Sequence, residues 1–271
     1  MKKQEMKRGK TMLITILVVI VSLSIIAWGI IAYLGRSQTL SVLSIEKLEG
    51  DLSLIHLAKP NNMQWKAGAH AKISLPKSID NPQTASELVT GASKSQAKDG
   101  ESSRWLTIAS NANEDEILIL THNSGSPYKK SLTNLPAGSK VELSWLDSSL
   151  STPDSNKAFV CFASDVGIAA IRPIIKEELG KRELVLSHFS KGVMVFNNEL
   201  EDSANNHANL SYESSSSLSQ SQAYLNEAVE RYGNDATYLL AGQADDVKAM
   251  TKFLEGIDKK KIKTSRFRGL K

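Results

Sequence analysis

Near residue 150 the spacing of apolar residues changes period, and this change restricts the fold more than any other feature of the chain. Before it, TLSVLSIEKL, LSLIHLA, HAKISLP, RWLTIAS, EILILTH and KVELSWL are short alternating or apolar runs, separated by Asn, Gly, Pro and Asp clusters. That spacing predicts a small antiparallel β-barrel or sandwich over residues 39–148. After SSLSTPDSNK the runs alternate in type. KAFVCFAS, ELVLSHF and TYLLAGQ read as buried strands, while IAAIRPIIKEELGK, VFNNELEDSANN, SQAYLNEAVERYG and ADDVKAMTKFLEG read as helices. Strands alternating with helices predict a parallel α/β sheet with covered faces over residues 156–271. The polar stretch between Lys77 and Ser103 reads as a long surface loop, and the serine-rich run at 213–222 as a loop between two strand–helix units.

One segment has a different character. Residues 11–34, TMLITILVVIVSLSIIAWGIIAYL, carry no charge. At about 1.5 Å of rise per residue they are long enough to cross a bilayer as a helix. The run exceeds the usual apolar core of a signal peptide and ends without a small-residue cleavage site, which favours a retained single-pass membrane anchor. Lys2, Lys3, Lys7, Arg8 and Lys10 precede it, within the basic segment 1–10, whereas only Arg36 follows it closely. The positive-inside rule then places the N-terminus in the cytoplasm and the folded part outside, at the cell membrane.

Composition narrows the function classes. The chain has 271 residues, 41% hydrophobic and 23% charged, with a net charge of +4 that is concentrated at its ends. The basic tail KKKIKTSRFRGLK reads as a solvated surface, and no basic stripe interleaved with aromatics points to nucleic acid. Cys161 is the only cysteine, so an internal disulfide or a cysteine-based zinc site is excluded. The five histidines show no metal-ligand spacing.

The order of a barrel followed by an α/β half, together with three segments in sequence, resembles the ferredoxin–NADP reductase family. KAGAHAKISLP at 66–76 is similar to the family's P-G-Q-x-x-x-L strand. SRWLTIAS is similar to its R-x-Y-S-I-A-S motif, and SGSPYKKSLTNLPAGSKVEL to the segment that wraps the phosphates of FAD. The resemblance implies FAD as cofactor, held around Arg104, Trp105, Leu106 and Thr107 and around the turn Gly125, Ser126, Tyr128, Lys129, Lys130 and Ser131. A diphosphate needs a guanidinium fork, ammonium groups or backbone amides, and Arg104 suits that role, with Lys129 or Lys130 beside it. Thr107 keeps the hydroxyl that touches the flavin N5, which makes it the implied catalytic group. Leu106 stands where the family has a stacking tyrosine, and Trp105 faces away from it in a regular strand.

The second half departs further from the family. FVCFASDVGIAAIRPII aligns with the strand and A-G-G-I-G-I-T-P loop, leaving Gly167 but placing Ser164 and Asp165 at the other glycines. A carboxylate there repels a nucleotide diphosphate. The later C-G-P motif becomes Ala241-Gly242-Gln243, and RFRGL resembles the family's F-x-G-Y ending with Leu270 at the aromatic. These departures predict a membrane-anchored FAD oxidoreductase that exchanges electrons with a redox partner protein or small carrier, its NAD(P)H site eroded. A cytoplasm-facing NAD(P)H-dependent reductase and a non-catalytic binding module are the alternatives.

Overall fold

The computed structural model describes residues 15–26, 28–29, 37–76, 102–147, 150, 158–257 and 262–267. Residues 1–10, the polar stretch 77–101 and Leu270 lie outside them.

The expected membrane span is not found. Among the described residues no helix is long and apolar enough to cross a membrane. The described helical residues of the segment are 15–26 (α1) and 28–29. The orientation inferred from the flanking charges therefore has no described span to rest on. The fold class is corrected to an antiparallel barrel followed by a parallel α/β domain.

Alternation builds the first half. β1 (Gln38–Lys47), β2 (Leu52–Ala58), β3 (His70–Ser74), β4 (Ser103–Thr107), β5 (Glu116–His122) and β6 (Lys140–Asp147) form one sheet in the order β4-β3-β6-β1-β2-β5. Every pairing is antiparallel. A bridge between Ile108 and Ile119 brings the two edges together, so the sheet closes and hides its edge strands. Leu40, Val42, Ile55, Leu57, Ile73, Leu106, Ile117 and Ile119 fill its interior. The short helix α2 (Pro127–Leu132) adds Tyr128 and Leu132 to the same core.

In the second half β7 (Ala158–Ser164), β8 (Glu183–Phe189), β9 (Leu210–Ser215), β10 (Ala236–Gln243) and β11 (Ile262–Phe267) form a parallel sheet in the order β11-β10-β7-β8-β9. It is crossed by α3 (Ile168–Glu178), α4 (Asn197–Asn206), α5 (Leu218–Tyr232) and α6 (Ala244–Gly256). β7 shows why its run was continuously apolar. Phe159, Cys161 and Ala163 pack toward α3, while Ala158, Val160 and Phe162 pack toward α5 and α6. The strand order reverses between β7 and β10, so a crevice forms at their carboxyl ends.

Two surface readings are corrected. The serine run 213–222 is not a loop. Its first residues end β9, and α5 begins at Leu218, with the Ser217 hydroxyl accepting the Gln220 N–H. The basic tail is not merely solvated, because Ile262–Phe267 pairs with β10 as the fifth strand.

The two halves share a core. Leu52, Leu54, Ala109 and Leu120 of the barrel cluster with Ile168, Ile171, Ile174 and Ile175 of α3. Arg172, only 4% exposed, crosses this interface. Its Nη1 donates to the Ala109 carbonyl at 2.7 Å, its Nη2 to Glu114 at 2.8 Å and its Nε to Glu199 at 2.8 Å. Its guanidinium also covers the Phe196 ring at 4.6 Å. Burial pushes the Glu114 carboxyl up, but hydrogen bonds from Arg172 and Lys176 more than offset this and hold it below its ordinary value. Removing one partner of such a buried pair strands the others. Arg172→Met is therefore expected to cost the full chain about 3–5 kcal/mol in urea denaturation. A loss under about 1 kcal/mol would show that apolar packing alone joins the halves.

Candidate functional site: a cationic barrel mouth and a closed strand-end crevice

The β3–β4 register sorts the motif residues by face. Arg104 and Leu106 pair with Ile73 and Ala71, whereas Trp105 and Thr107 pair with Lys72 and His70. Directly opposed residues share a face of the sheet. Leu106 lies in the barrel core. Trp105 is 52% exposed on the outer face, its ring edge-on to His70 at 5.1 Å. Thr107, at the end of β4, is buried. The structure thus places Leu106 and Trp105 on opposite sides of the strand.

Arg104 reaches toward α2. Its Nη1 donates to the Ser103 carbonyl at 2.8 Å, and its guanidinium carbon lies 5.6 Å from the centre of the Tyr128 ring. The segment expected as a turn is a helix here for local reasons. Ser126 caps it by accepting the Lys129 N–H at 3.3 Å, and Pro127 opens it with a preset φ. Tyr128 and Leu132, one turn apart, bury into the barrel, and the Tyr128 hydroxyl donates to the Ile73 carbonyl at 2.8 Å. Lys129 is left beside Arg104, its ammonium donating to the Thr121 hydroxyl of β5. Lys130 and Ser131 are exposed. Burial first, and the Arg104 charge second, lower the Lys129 amine to about 8.

These residues fit a diphosphate. The Arg104 guanidinium, which has a further partner within the chain, lies over the ring of Tyr128, and its charge reaches the partly buried ammonium of the adjoining Lys129, which makes no ion pair among the described residues. The backbone offers less than expected. Pro127 has no N–H, the Lys129 N–H is taken by Ser126, and the Gly125 N–H is taken by the Asn123 side chain at 3.2 Å. Side chains therefore carry most of the positive charge. Thr121 went unseen in the sequence, because nothing local marks a strand threonine as the partner of a lysine eight residues away.

The second candidate region gathers Ser164, Asp165, Gly167 and Gly242 at the carboxyl ends of β7 and β10. A Cβ on Gly167 would sit 2.2 Å from the Ala241 carbonyl oxygen, and one on Gly242 would sit 2.1 Å from the Ser164 hydroxyl. Both glycines serve this close approach. The Ser164 hydroxyl accepts the Gln243 backbone N–H at 3.0 Å. Asp165 adopts φ +52° and turns its carboxylate onto the barrel, 2.5 Å from His122 Nε2, while also accepting from Gln243 Nε2 at 2.9 Å. Burial raises the Asp165 carboxyl, and the His122 and Gln243 hydrogen bonds more than offset it, so the group is held low. The adjoining crevice of about 190 Å³ is lined by Asp165, His122, Phe189, Lys191, Gln243 and Asp246, among others.

Beneath it His188 is 1% exposed, and burial lowers its imidazole to about 4, opposed only in part by Asp165. Its folded value lies below the ordinary 6.5, so the unfolded chain binds the extra proton. Stability from this group is complete above about pH 6.5 and is lost as pH falls toward 4, up to about 3 kcal/mol. Denaturation of His188→Asn between pH 7 and 4 should show a correspondingly flatter decline. An unchanged slope would mean that His188 is not the acid-sensitive group.

No protein-family model matches the chain, and no curated protein matches it. Solved structures do. A ferredoxin NADP+ reductase from Neisseria gonorrhoeae with bound FAD and NADP is 12% identical, with a TM-score of 0.67 over 85% of this chain and 98% of that one. A ferredoxin-NADP+ reductase from Plasmodium falciparum with 2'P-AMP is 11% identical, with a TM-score of 0.67 over 86% and 97%. The CS-b5R domains of human Ncb5or in the NAD+ form are 17% identical, with a TM-score of 0.64 over 85% and 69%. At these identities the likeness shows a shared fold.

Proposed function

We propose that the chain is an FAD-dependent oxidoreductase of the ferredoxin reductase type, which passes electrons between its flavin and a redox partner. The observation that carries this reading is the placement of Arg104 over Tyr128 of α2, with Lys129 next to it at the barrel mouth, on a fold whose solved examples include a reductase with bound FAD. FAD, when bound, supplies the redox chemistry. The chain's own part is to grip the diphosphate with Arg104 and Lys129 and to offer the Thr107 hydroxyl at the end of β4. The redox partner is a protein or a small electron carrier.

The NAD(P)H site is the finer point. Where the fold offers a dinucleotide its crevice, this chain sets the Asp165 carboxylate, fixed by His122 and Gln243. Like charge at that position disfavours a pyrophosphate. The alternative of a conventional NAD(P)H-dependent reductase draws on the nucleotide-bound neighbours.

Reconstitution of the full chain tests both. It should take up FAD and show flavin absorbance, and Arg104→Ala should weaken that binding about 10–100-fold, as expected for a lost charge-assisted contact. A chain that takes up no FAD contradicts the reading. Anaerobic NADH and NADPH should leave the bound flavin oxidised, and bleaching by either would establish the alternative.

A further inference from the structure

The Asp165 carboxylate is satisfied in the way a bound anion is, by donors that converge on it from separate elements. His122 Nε2, at the end of β5, lies 2.5 Å from its Oδ2, and Gln243 Nε2, at the end of β10, donates to the same oxygen at 2.9 Å. The Val166 backbone N–H of the turn itself adds a third bond. With a carboxylate as acceptor, it is His122 Nε2 that carries the proton. The His122 and Asp165 side chains are 20% and 14% exposed, so solvent and salt screen their contact only in part.

The backbone is held for this contact. Asp165 sits at φ +52°, a left-handed conformation that costs energy in a residue other than glycine and persists where its surroundings fix it. Behind it the turn has no room for a ligand, because the Ser164 hydroxyl fills the space beside Gly242 and accepts the Gln243 N–H. His122 belongs to the barrel, whereas Asp165 and Gln243 belong to the α/β half, so one carboxylate both fills the crevice mouth and ties the halves together.

We infer that Asp165 is an internal plug and a specificity-determining residue: its carboxylate occupies the donors His122 and Gln243 in place of an external oxyanion, so that the crevice refuses phosphate-bearing ligands. This deepens the exclusion of NAD(P)H proposed above and rests on it, but it does not depend on the flavin. It also differs from simple erosion. An eroded site has lost its donors, and clearing one carboxylate from it restores nothing. A plugged site keeps them, and clearing the carboxylate exposes them. The donors freed here suit a phosphate oxyanion, with Lys191 on the crevice wall as a nearby cation. Glu49 and Asp246 line the same crevice and limit the negative charge it would accept, which makes inorganic phosphate the suitable probe.

The test is diethyl pyrocarbonate labelling of the full chain at neutral pH, read residue by residue by mass spectrometry. His207, exposed at the end of α4, is the rate reference, and His188, 1% exposed, reports any unfolding because it labels only if the chain opens. In the wild type His122 should label slowly, and neither inorganic phosphate nor NADH should change its rate. Asp165→Gly removes the carboxylate while suiting the left-handed turn. It should speed His122 labelling about 10–100-fold, the factor of a lost charge-assisted hydrogen bond, and phosphate should slow it again. Asp165→Asn keeps the shape and loses the charge, and should speed labelling about 3–10-fold. With His188 still protected, equal His122 rates in the wild type and both variants overturn the plug, as does a lack of phosphate protection in Asp165→Gly. Exclusion of NAD(P)H would then rest on the missing glycines alone. Protection of wild-type His122 by NADH overturns the plug and that exclusion together.

Discussion

The way the two halves of the chain meet depends on one side chain, the Arg172 guanidinium. It rises from the first turns of α3 into the barrel, where it satisfies the Ala109 carbonyl and the Glu114 carboxylate while holding Glu199 of α4. A buried ion pair gains little over apolar packing in free energy, but its geometry admits few alternatives. With Leu52, Leu54 and Leu120 packed against the isoleucines of α3, the two halves meet in one orientation. That orientation brings His122, at the end of a barrel strand, onto the β7–α3 turn.

The two regions then carry opposite electrical character. At the barrel mouth Arg104 and Lys129 stand together, with a lysine amine made easier to deprotonate by its surroundings. At the strand ends the backbone turn that would receive phosphates carries a carboxylate made harder to protonate. The same physical rule, that burial penalises a charge unless a partner offsets it, acts on both. Asp165 has found its partners within the chain, in His122 and Gln243. Among the described residues Lys129 has only a hydroxyl. This asymmetry supports the proposal of a ligand anion at the first region and not at the second.

Local pattern carried the strands into view, because alternation in EILILTH and continuous apolarity in KAFVCFAS report burial on one face or two. It also carried the departures at Ser164 and Asp165, which are visible against the family's glycines. Other features needed the folded chain. The six-residue helix α2 is too short for a periodic signal, and its cap and proline look like any polar turn. The serine run hid the end of a strand and the start of a helix, since Ser217 acts through a cap and not through hydrophobic spacing. The basic tail concealed β11, whose partner strand precedes it by a whole helix. Thr121 with Lys129, His122 with Asp165 and Arg172 with Glu114 are pairings made by topology, and no single segment announces them. The apolar segment 11–34 shows the converse, a strong composition signal without a spanning helix among the described residues.

The barrel mouth is proposed as an anion site built for a diphosphate. A crystal structure of the full chain soaked with FAD tests it most directly. Diphosphate density is expected between the Arg104 guanidinium and the Lys129 ammonium, with Asp165 still seated on His122 at the β7–α3 turn. Diphosphate density at the β7–α3 turn, with Asp165 displaced and the barrel mouth vacant, would contradict it.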